Sequence, residues 1–477
     1  MKMNAYALSD EEIRIIHNDS LQILEEVGVR IPVEKALELL EAGGAKIDWE
    51  KKNVRIPREM VAKALDITPK EFTLGARNPE FDFAMPSSYT AFTLDGAGAN
   101  VIDYRTGKRR EAVLQDVADA ARVFEEVELG KVLWSPVVPY DVPGGPCGIL
   151  NTATSFMNSS KHVQDEVKTL DEVQYVIEIA KAILGSEEEV IKRKIYSATY
   201  CTVAPLCHDE EMLEATMELT KYKAPVLILP MPACGSTGPA SLYSNIAVAN
   251  AEALSAITVF QLMTPGTPLI FGAALGIINM RNGIFLEGAV ETALQLSAMG
   301  QMGKYYGMPT IIAGCLTDAK ELGMQADIEK VMTCLPLVFG GVDAVNGAGL
   351  IESSMTMSFE QMLIDGEIGS MCNRMCAGID VSDGKNFFMD IKEVGPGGHF
   401  LKRKNTRTAV RSSEFFTPEL ANRSTYSEWL KLGSPSMFSE AHKKVEKILS
   451  GELKNPLSPS TEKVIKEIME EAKAKLR

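Results

Sequence analysis

The sequence predicts an α/β protein built on a (β/α)8 barrel, the TIM-barrel architecture. From about residue 111, short apolar or β-branched runs alternate with helical patterns, and eight such runs match the strand count of this fold. No GxGxxG turn follows the first run, which disfavours the open doubly wound sheet. Hydrophobic residues make up 45% and charged residues 24% of the 477 residues, as in an ordinary globular protein.

The pattern of elements divides the chain into three parts. Residues 1–110 form an extension with helices near 9–27, 32–42 and 57–65, followed by hairpins marked by Asn-Pro, Asp-Gly and Thr-Gly turns. Residues 405–477 form a C-terminal helical extension. Residues 111–404 form the barrel, with strands expected at 131–139, 161–166, 195–203, 225–231, 267–273, 309–314, 343–346 and 387–390, and with helices expected at 169–184, 210–222, 241–263, 287–306, 325–338 and 359–377.

Charge and composition exclude several classes of partner. The net charge of −15 repels a phosphate backbone, so no nucleic acid is expected as a ligand. The N-terminus has no apolar core of a secretory signal, and the weakly charged stretch 246–286 is interrupted by Pro265 and Pro268, which argues against a membrane span. The eight cysteines lack the spacing of a disulfide framework, so a cytoplasmic location is expected. Apolar faces in the two extensions predict a homo-oligomer.

In a (β/α)8 barrel the chemistry lies where the strands end, and this position alone selects candidate residues. Amide, acidic, basic and aromatic side chains at these ends are the candidates for substrate binding. The aromatic rings and the negative field of the protein would attract a cationic substrate. The predicted substrate-binding residues are Tyr140, Gln164, Glu166, Phe271, Arg281, Asn346 and Phe387. Two glycine-rich loops complete the predicted mouth, with Gly235, Ser236 and Thr237 after the fourth run and Gly397, Gly398 and His399 after the eighth.

A metal site is the competing interpretation of the strand ends. Thiolates such as Cys201, Cys207, Cys234 and Cys315 together with His208 have the chemistry of a tetrahedral zinc site. None of these cysteines is paired as CxxC, and free cysteines are commonly buried in cores. The sequence therefore predicts no bound metal, and only five histidines are available for acid–base work.

Several stretches together resemble one known family, the trimethylamine methyltransferase superfamily. They are LSDEEIRIIHNDSLQILEEVGV at 8–29, CGSTGPASL at 234–242, CLTDAKELGMQA at 315–326, NGAGLIESSMTMSFEQMLIDGEI at 346–368, GPGGHFL at 395–401 and NRSTYSEW at 422–429. The resemblance spans nearly the whole chain. Because every position is one of the twenty ordinary residues, the chain resembles the branch of the family without pyrrolysine.

The resemblance implies a function. Members of this branch move a methyl group from a quaternary amine, such as glycine betaine, proline betaine or carnitine, to the Co(I) of a cognate corrinoid protein docked at the barrel mouth. The corrinoid is then supplied by the partner, and the two glycine-rich loops would face it. Such a reaction needs positioning and desolvation but no general acid, since the leaving group is a neutral amine. Arg281 or the backbone N–H groups of 235–237 are candidates for a betaine carboxylate.

Two alternatives remain open from the sequence. A zinc-dependent corrinoid methyltransferase for thiols or methanol would use Cys201, Cys234 or Cys315 as metal ligands. A non-catalytic betaine-binding barrel would bind the ligand without transferring its methyl group.

Overall fold

The computed structural model describes residues 3–142 and 144–476, and its centre is a closed barrel of parallel strands. Each strand pairs in parallel with the next, and β8 closes the barrel on β1 with Asn346 opposite Thr93. In chain order the barrel strands β1 to β8 are Ala91–Thr93, Gly130–Trp134, His162–Glu166, Tyr196–Cys201, Val226–Leu229, Leu269–Ala273, Thr310–Ala313 and Ala344–Asn346. The barrel helices α1 to α8 are Leu114–Glu125, Cys147–Asn158, Leu170–Leu184, Glu210–Leu219, Leu242–Met263, Val290–Tyr305, Met324–Gly340 and Phe359–Ala377.

The (β/α)8 prediction is confirmed, but one predicted strand is wrong. The first seven predicted runs overlap β2 to β8, whereas the eighth, at 387–390, falls in the helix Phe388–Val394. The strand that the sequence did not reveal is β1, which is only three residues long and lies in the segment predicted as hairpins. Asp95 and Gly96 follow it and imitate a turn signal. The barrel therefore begins before the predicted boundary at 110/111.

Side chains on the barrel strands alternate between the interior and the surrounding helices. Ala91, Val132, Leu227, Ile270 and Ala344 face inward and share one buried cluster with a hairpin formed by Phe72–Leu74 and Phe83–Met85. This hairpin lies at the N-terminal end of the strands, because Gly75 O meets Nδ1 of His162, the first residue of β3, at 2.7 Å. That end is therefore filled with apolar side chains, and the interior opens at the C-terminal ends, which we call the mouth.

The two extensions wrap the outside of the barrel. Ser9 begins the first helix with a capping box that includes Glu12. The N-terminal elements are the helices Asp10–Gln22, Glu34–Ala42 and Arg58–Ile67, which pack on α5, a short π-helical turn at Ile23–Val27, and the strands Val29–Arg30, Lys46–Asp48, Asn53–Arg55, Asn100–Asp103 and Lys108–Glu111. The C-terminal helices are Phe388–Val394, Lys404–Val410, Tyr426–Lys431, Met437–Ser450 and Pro459–Lys475.

The remaining short elements lie in loops, and one barrel helix is unusually apolar. Within the described residues, α5 alone is long and apolar enough to cross a membrane by length and composition, and most of it is buried inside the protein. The weakly charged stretch 246–286 thus begins within a helix that is buried in the core. The loop elements are Pro79–Phe81, Glu187–Arg193, Thr220–Tyr222, Ala233–Cys234, Gly276–Ile278, Phe285–Leu286, Leu350–Ile351, Thr356–Met357 and Asp383–Lys385.

Candidate active site

The upper half of the barrel interior is polar rather than apolar. Alternation along β3, β4 and β8 directs Gln164, Thr199 and Asn346 inward, and all three are fully buried. Among the described residues, Gln164 Nε2, Thr199 Oγ1 and both side-chain polar atoms of Asn346 have no hydrogen-bond partner. Buried polar groups are normally paired, so unpaired ones that line an interior provide donors and acceptors for a ligand.

Three carboxyl groups lie at the C-terminal ends of the strands, beyond these residues. Asp95 follows β1, Glu166 ends β3 and Glu287 lies in the loop after β6, and each is half-buried. Burial, together with the charge of Glu166, raises the pKa of Asp95 to about 7. Burial also raises the pKa of Glu287 to about 8, with a smaller contribution from Asp95. We call these three residues the lumen acids. Because burial and neighbouring carboxylates raise the pKa values of Asp95 and Glu287, a bound cation would favour the ionised forms of these two groups.

A strained turn after β8 holds one lumen acid in place. Residues 352–354 all have positive φ, at 58°, 51° and 62°, which is unusual for three consecutive non-glycine residues. Ser354 Oγ donates to Glu287 Oε2 at 2.6 Å, and Ser353 Oγ donates to Asp318 Oδ1 at 2.9 Å. The Glu287 backbone N–H also donates to Asp318 Oδ1, at 2.7 Å. Backbone strain that persists in this way is typical of functional sites, because surrounding contacts must maintain it.

An aromatic ring and a thiol complete the wall. Trp134 ends β2 with its side chain facing inward, and its indole lies against Gly96, where a Cβ would approach Nε1 to 2.3 Å. Cys201 ends β4 and lies with Sγ 3.7 Å from Glu166 Oε1. Burial, with the nearby charges of Glu166 and Asp95, raises the pKa of the Cys201 thiol well above its usual value. The thiol is therefore neutral and is not an activated nucleophile.

One lysine lies at the rim beside the lumen acids. Lys168 Nζ is 3.1 Å from Glu166 Oε2, and its side chain is 62% exposed. Burial lowers the pKa of Lys168, but the charges of Glu166 and Asp165 outweigh this effect and leave the pKa above its usual value. The rim thus presents a positive charge a few ångströms from a negative one, an arrangement that complements a zwitterion.

Some of the predicted site residues do meet at the mouth. Gln164, Glu166 and Asn346 lie in the lumen, as described above. Gly235, Ser236 and Thr237 form a turn beside the hairpin that carries Arg281, because the strand Ala233–Cys234 pairs with Gly276–Ile278 in a small sheet. Arg281 itself is exposed near the tip of this hairpin.

Other predicted site residues lie away from the lumen. Phe271 is fully buried on the helix side of β6, with its ring 5.7 Å from that of Tyr306. Tyr140 follows β2 but is 77% exposed. The wrong eighth strand led the sequence to place four further residues at the mouth: Phe387, Gly397, Gly398 and His399. In the structure they belong to the segment that continues from the C-terminal end of α8.

That end of α8 lies at the opposite end of the barrel from the mouth. Asn373, near the end of α8, bonds both backbone groups of Thr90, the residue before β1. The lumen residues that sequence reasoning missed are Asp95, Trp134, Glu287 and Ser354. The signals available were the acid directly after the run 91–94 and the Glu-Ser-Ser sequence within 346–368.

Histidines and metal ligands contribute little to this site. His162 and His208 are buried, and burial lowers the pKa of each to about 4. His208 bonds Tyr200 Oη at 2.6 Å and Ser255 Oγ at 2.9 Å, on the helix side of β4. Within the part of the chain that the structure describes, no three His, Cys, Asp or Glu side chains are arranged to hold a metal ion.

Comparison with known proteins gives the family. The model of the trimethylamine methyltransferase (MTTB) family matches residues 2–477. A glycine betaine methyltransferase of Desulfitobacterium hafniense (strain Y51) is 33% identical, covering 95% of this chain and 94% of its own. The trimethylamine methyltransferase MttB of Methanosarcina thermophila is 31% identical over 94% of both chains. The crystal structure of the Methanosarcina barkeri monomethylamine methyltransferase (MtmB) has the same fold, with a TM-score of 0.50, 13% identity and 92% of each chain covered.

The fold and the comparisons together define the class of the protein. A (β/α)8 barrel with a polar lumen, whose relatives are named methyltransferases along their whole length, is a methyltransferase. The chain belongs to the trimethylamine methyltransferase family, as its sequence motifs predicted.

Proposed function

We propose that this enzyme transfers a methyl group from a quaternary ammonium compound of the betaine type to the Co(I) of a cognate corrinoid protein. The observation that carries the proposal is the group of lumen acids, which come from three separate segments, are each half-buried and lie close enough for their charges to act on one another. A quaternary ammonium has no N–H to donate, so carboxylate charge and the face of an aromatic ring such as Trp134 are what can bind it. The named activity of the glycine betaine relative supports this choice.

The chemistry requires few catalytic groups from the chain. The C–N bond breaks with both electrons remaining on nitrogen, so the product is a neutral tertiary amine and no proton is transferred. The corrinoid partner supplies the nucleophilic Co(I) that accepts the methyl group. The barrel binds the cation, directs one methyl toward the mouth and excludes water, which are contributions from orientation and desolvation. The Cys201 thiol and the buried histidines His162 and His208 are neutral, which is consistent with a reaction that needs no nucleophile or proton donor from the chain.

The carboxylate of a betaine needs its own partner. We propose that Lys168 binds it, because Lys168 already pairs with Glu166 at 3.1 Å and lies beside the expected ammonium position. Arg281 and the backbone of 235–237 remain the second candidates. A zwitterion seated here would place its positive charge near Glu166 and its negative charge near Lys168.

A comparison of two ligands tests this assignment. In the Lys168→Gln variant, the Kd of glycine betaine should rise about tenfold, while the Kd of tetramethylammonium should fall or stay constant. The matched variant Arg281→Gln should change neither constant by more than about twofold. Equal weakening of both ligands by Lys168→Gln would remove Lys168 from the carboxylate role.

The activity itself is tested with a corrinoid protein. The enzyme is mixed with a reduced corrinoid protein and a panel of quaternary amines, tertiary amines, thiols and methanol, and corrinoid methylation is followed by absorbance. Methylation with a quaternary amine supports the proposal. Methylation only with a thiol or methanol, accompanied by stoichiometric zinc in the purified enzyme, would favour the zinc alternative instead.

A further inference from the structure

One continuous hydrogen-bond network joins the closed end of the barrel to the lumen. His162 begins β3, and Gln164 and Ser197 lie opposite one another where β3 pairs with β4. His162 Nε2 is 2.8 Å from Ser197 Oγ, and Ser197 Oγ is 3.0 Å from Gln164 Oε1. All three side chains are fully buried. We call them the floor network, because Gln164 is the member that borders the lumen.

The outer end of the floor network is a backbone carbonyl in a fixed position. Gly75 O lies 2.7 Å from His162 Nδ1. A Cβ at Gly75 would meet Arg193 O at 1.8 Å, so only glycine can approach this closely. Arg193 in turn donates to both carboxylate oxygens of Asp82 and to Ala76 O, each at 2.8 Å. The carbonyl that His162 meets is therefore held firmly in place.

A count of hydrogens fixes the direction of each bond in the floor network. A carbonyl oxygen only accepts, so His162 Nδ1 donates to Gly75 O. Burial lowers the pKa of His162 to about 4, despite the opposing effects of nearby backbone carbonyls and of the Asp82 charge, so the ring is neutral and has one N–H. His162 Nε2 then accepts the only proton of the Ser197 hydroxyl. Because Ser197 has no proton left to donate, the Gln164 atom beside it must be a donor.

We propose that His162 is a positioning residue that acts through Ser197 to turn the Gln164 amide, so that the carbonyl oxygen Oε1 faces the lumen and contacts the substrate ammonium. A half turn of the amide leaves its shape unchanged, so hydrogen bonding alone decides between the two orientations. After the turn, Nε2 donates to Ser197 Oγ, whereas in the opposite orientation it has no partner. This inference rests on the proposed function and deepens it.

The turned amide gives the lumen a selective floor. A carbonyl oxygen carries a partial negative charge that attracts a cation, whereas an NH2 group in the same place would repel it. Unlike the charges of Asp95 and Glu287, this dipole does not depend on protonation of the group that carries it. The floor therefore favours the ammonium end of a zwitterion over its carboxylate end, in agreement with a carboxylate bound by Lys168 at the rim.

Two ligands of the same shape test the role of Gln164. Glycine betaine and 3,3-dimethylbutanoate both carry a carboxylate and differ in the charge on the central atom. In Gln164→Met the Kd of glycine betaine, measured by calorimetry, should rise about fivefold, and that of the isostere should change by less than about twofold. An NH2 group facing the lumen predicts the opposite sign, so tighter binding of glycine betaine by this variant overturns the proposal. Equal weakening of both ligands overturns it as well.

Substitutions of Ser197 test the positioning role. Ser197→Ala frees the Gln164 amide to turn, so the preference for glycine betaine over the isostere should fall about threefold, and Ser197→Thr should restore it by restoring the hydroxyl. The control Ser255→Ala removes a hydroxyl that lies 2.9 Å from the other buried histidine, His208, on the helix side of β4. It should leave the preference unchanged, even where stability falls. An unchanged preference in Ser197→Ala contradicts the positioning role.

The state of the His162 ring can be measured in the wild type without any ligand. In nitrogen-15 NMR of histidine-labelled protein near neutral pH, Nδ1 of His162 should be protonated and Nε2 should not. His162→Asn identifies the signals by their loss. A protonated Nε2 overturns the proposal, whether or not a quaternary amine binds. The expected ring state in a wild type that binds no quaternary amine would overturn the proposed function and the contact with the substrate, but it would support the amide orientation.

Discussion

At the scale of single residues, the lumen acids supply the negative charge on which the proposed cation binding rests. Burial keeps Asp95 and Glu287 partly protonated at neutral pH, with smaller contributions from the charge of Glu166 on Asp95 and that of Asp95 on Glu287. Glu166 itself pairs with Lys168. Binding a permanent cation among them would offset the desolvation and the repulsion that raise the pKa values of Asp95 and Glu287. Under the proposed function, ligand binding is therefore coupled to the ionisation of Asp95 and Glu287.

Replacing one lumen acid should weaken cation binding. Asp95→Asn keeps the side-chain volume but removes the charge, and the Kd of tetramethylammonium should rise about thirtyfold, equivalent to ~2 kcal/mol. Isothermal titration calorimetry measures this. The control Glu210→Gln removes an exposed carboxylate, 64% accessible, at the start of α4. A similar loss of affinity in both variants would point to a general effect of net charge rather than to the lumen.

Cation binding should strengthen as pH rises. The pKa of Asp95 is raised to about 7 and that of Glu287 to about 8, so both carboxyl groups lose their protons between about pH 6 and 9. Each ionisation adds a negative charge that attracts the ligand, so the Kd of tetramethylammonium should fall about tenfold over this range. The ligand charge does not titrate, which isolates the protein groups. A flat profile in the wild type would contradict the raised pKa values, and Asp95→Asn should remove the lower-pH part of the change.

At the scale of elements, two local structures prepare the site. The three left-handed residues after β8 place Ser354 on Glu287, and Gly96 allows Trp134 to lie across the end of β1. The first depends on the left-handed backbone of residues 352–354, and the second on the close approach of the Trp134 indole to Gly96. These features explain why small residues occupy positions directly next to the lumen acids.

The serine turn should hold Glu287 through one hydroxyl. Ser354→Ala removes the 2.6 Å hydrogen bond, so the pKa of Glu287 should rise further and tetramethylammonium should bind several-fold more weakly at neutral pH. Ser354→Gly loses the same bond but relieves the strain of a positive φ, so it should be more stable than the alanine variant by thermal denaturation. Ser353→Ala should have the smaller effect on binding, because Ser353 bonds Asp318 instead.

A methyl group at Gly96 should disturb the lumen. In Gly96→Ala the new Cβ would meet the Trp134 indole at 2.3 Å, so the ring must move, and we expect destabilisation of about 1 to 3 kcal/mol with weaker cation binding. Chemical denaturation and calorimetry measure the two effects. Gly144→Ala is the matched control, because its Cβ meets nothing within 4 Å. Equal stability of the two variants would show that Trp134 can move without cost.

At the scale of the whole molecule, one buried ion pair joins the last units of the barrel. Lys330 on α7 pairs with Asp365 on α8 at 2.8 Å, with both side chains fully buried, and Lys330 Nζ also donates to Cys315 O at 2.7 Å after β7. The backbone N–H of Gly349, in the loop after β8, also donates to Asp365 Oδ2 at 2.7 Å. The ion pair connects the final two helices to the strand ends that carry the active-site loops.

Breaking this pair should destabilise the fold. Lys330→Met leaves the Asp365 carboxylate buried without its cation, and the free energy of unfolding should fall by about 3 to 5 kcal/mol. Urea denaturation measures the change. Lys463→Met removes an exposed partner of Glu467, at 3.8 Å, and should cost less than about 1 kcal/mol. Lys330→Met combined with Asp365→Leu should recover part of the loss, and no recovery would show that the lysine acts through packing rather than charge.

The sequence alone determined the architecture, seven of the eight barrel strands and the family, because alternating strand and helix patterns and extended motifs are local properties of the chain. Gln164, Glu166 and Asn346 were also accessible this way, since each lies on a recognisable strand. Only the tertiary structure decided that β1 closes the barrel, because three residues followed by Asp95 and Gly96 give no periodic signal. It also decided which acids meet, because Asp95, Glu166 and Glu287 are far apart in the chain and only closure of the cylinder brings them to one lumen.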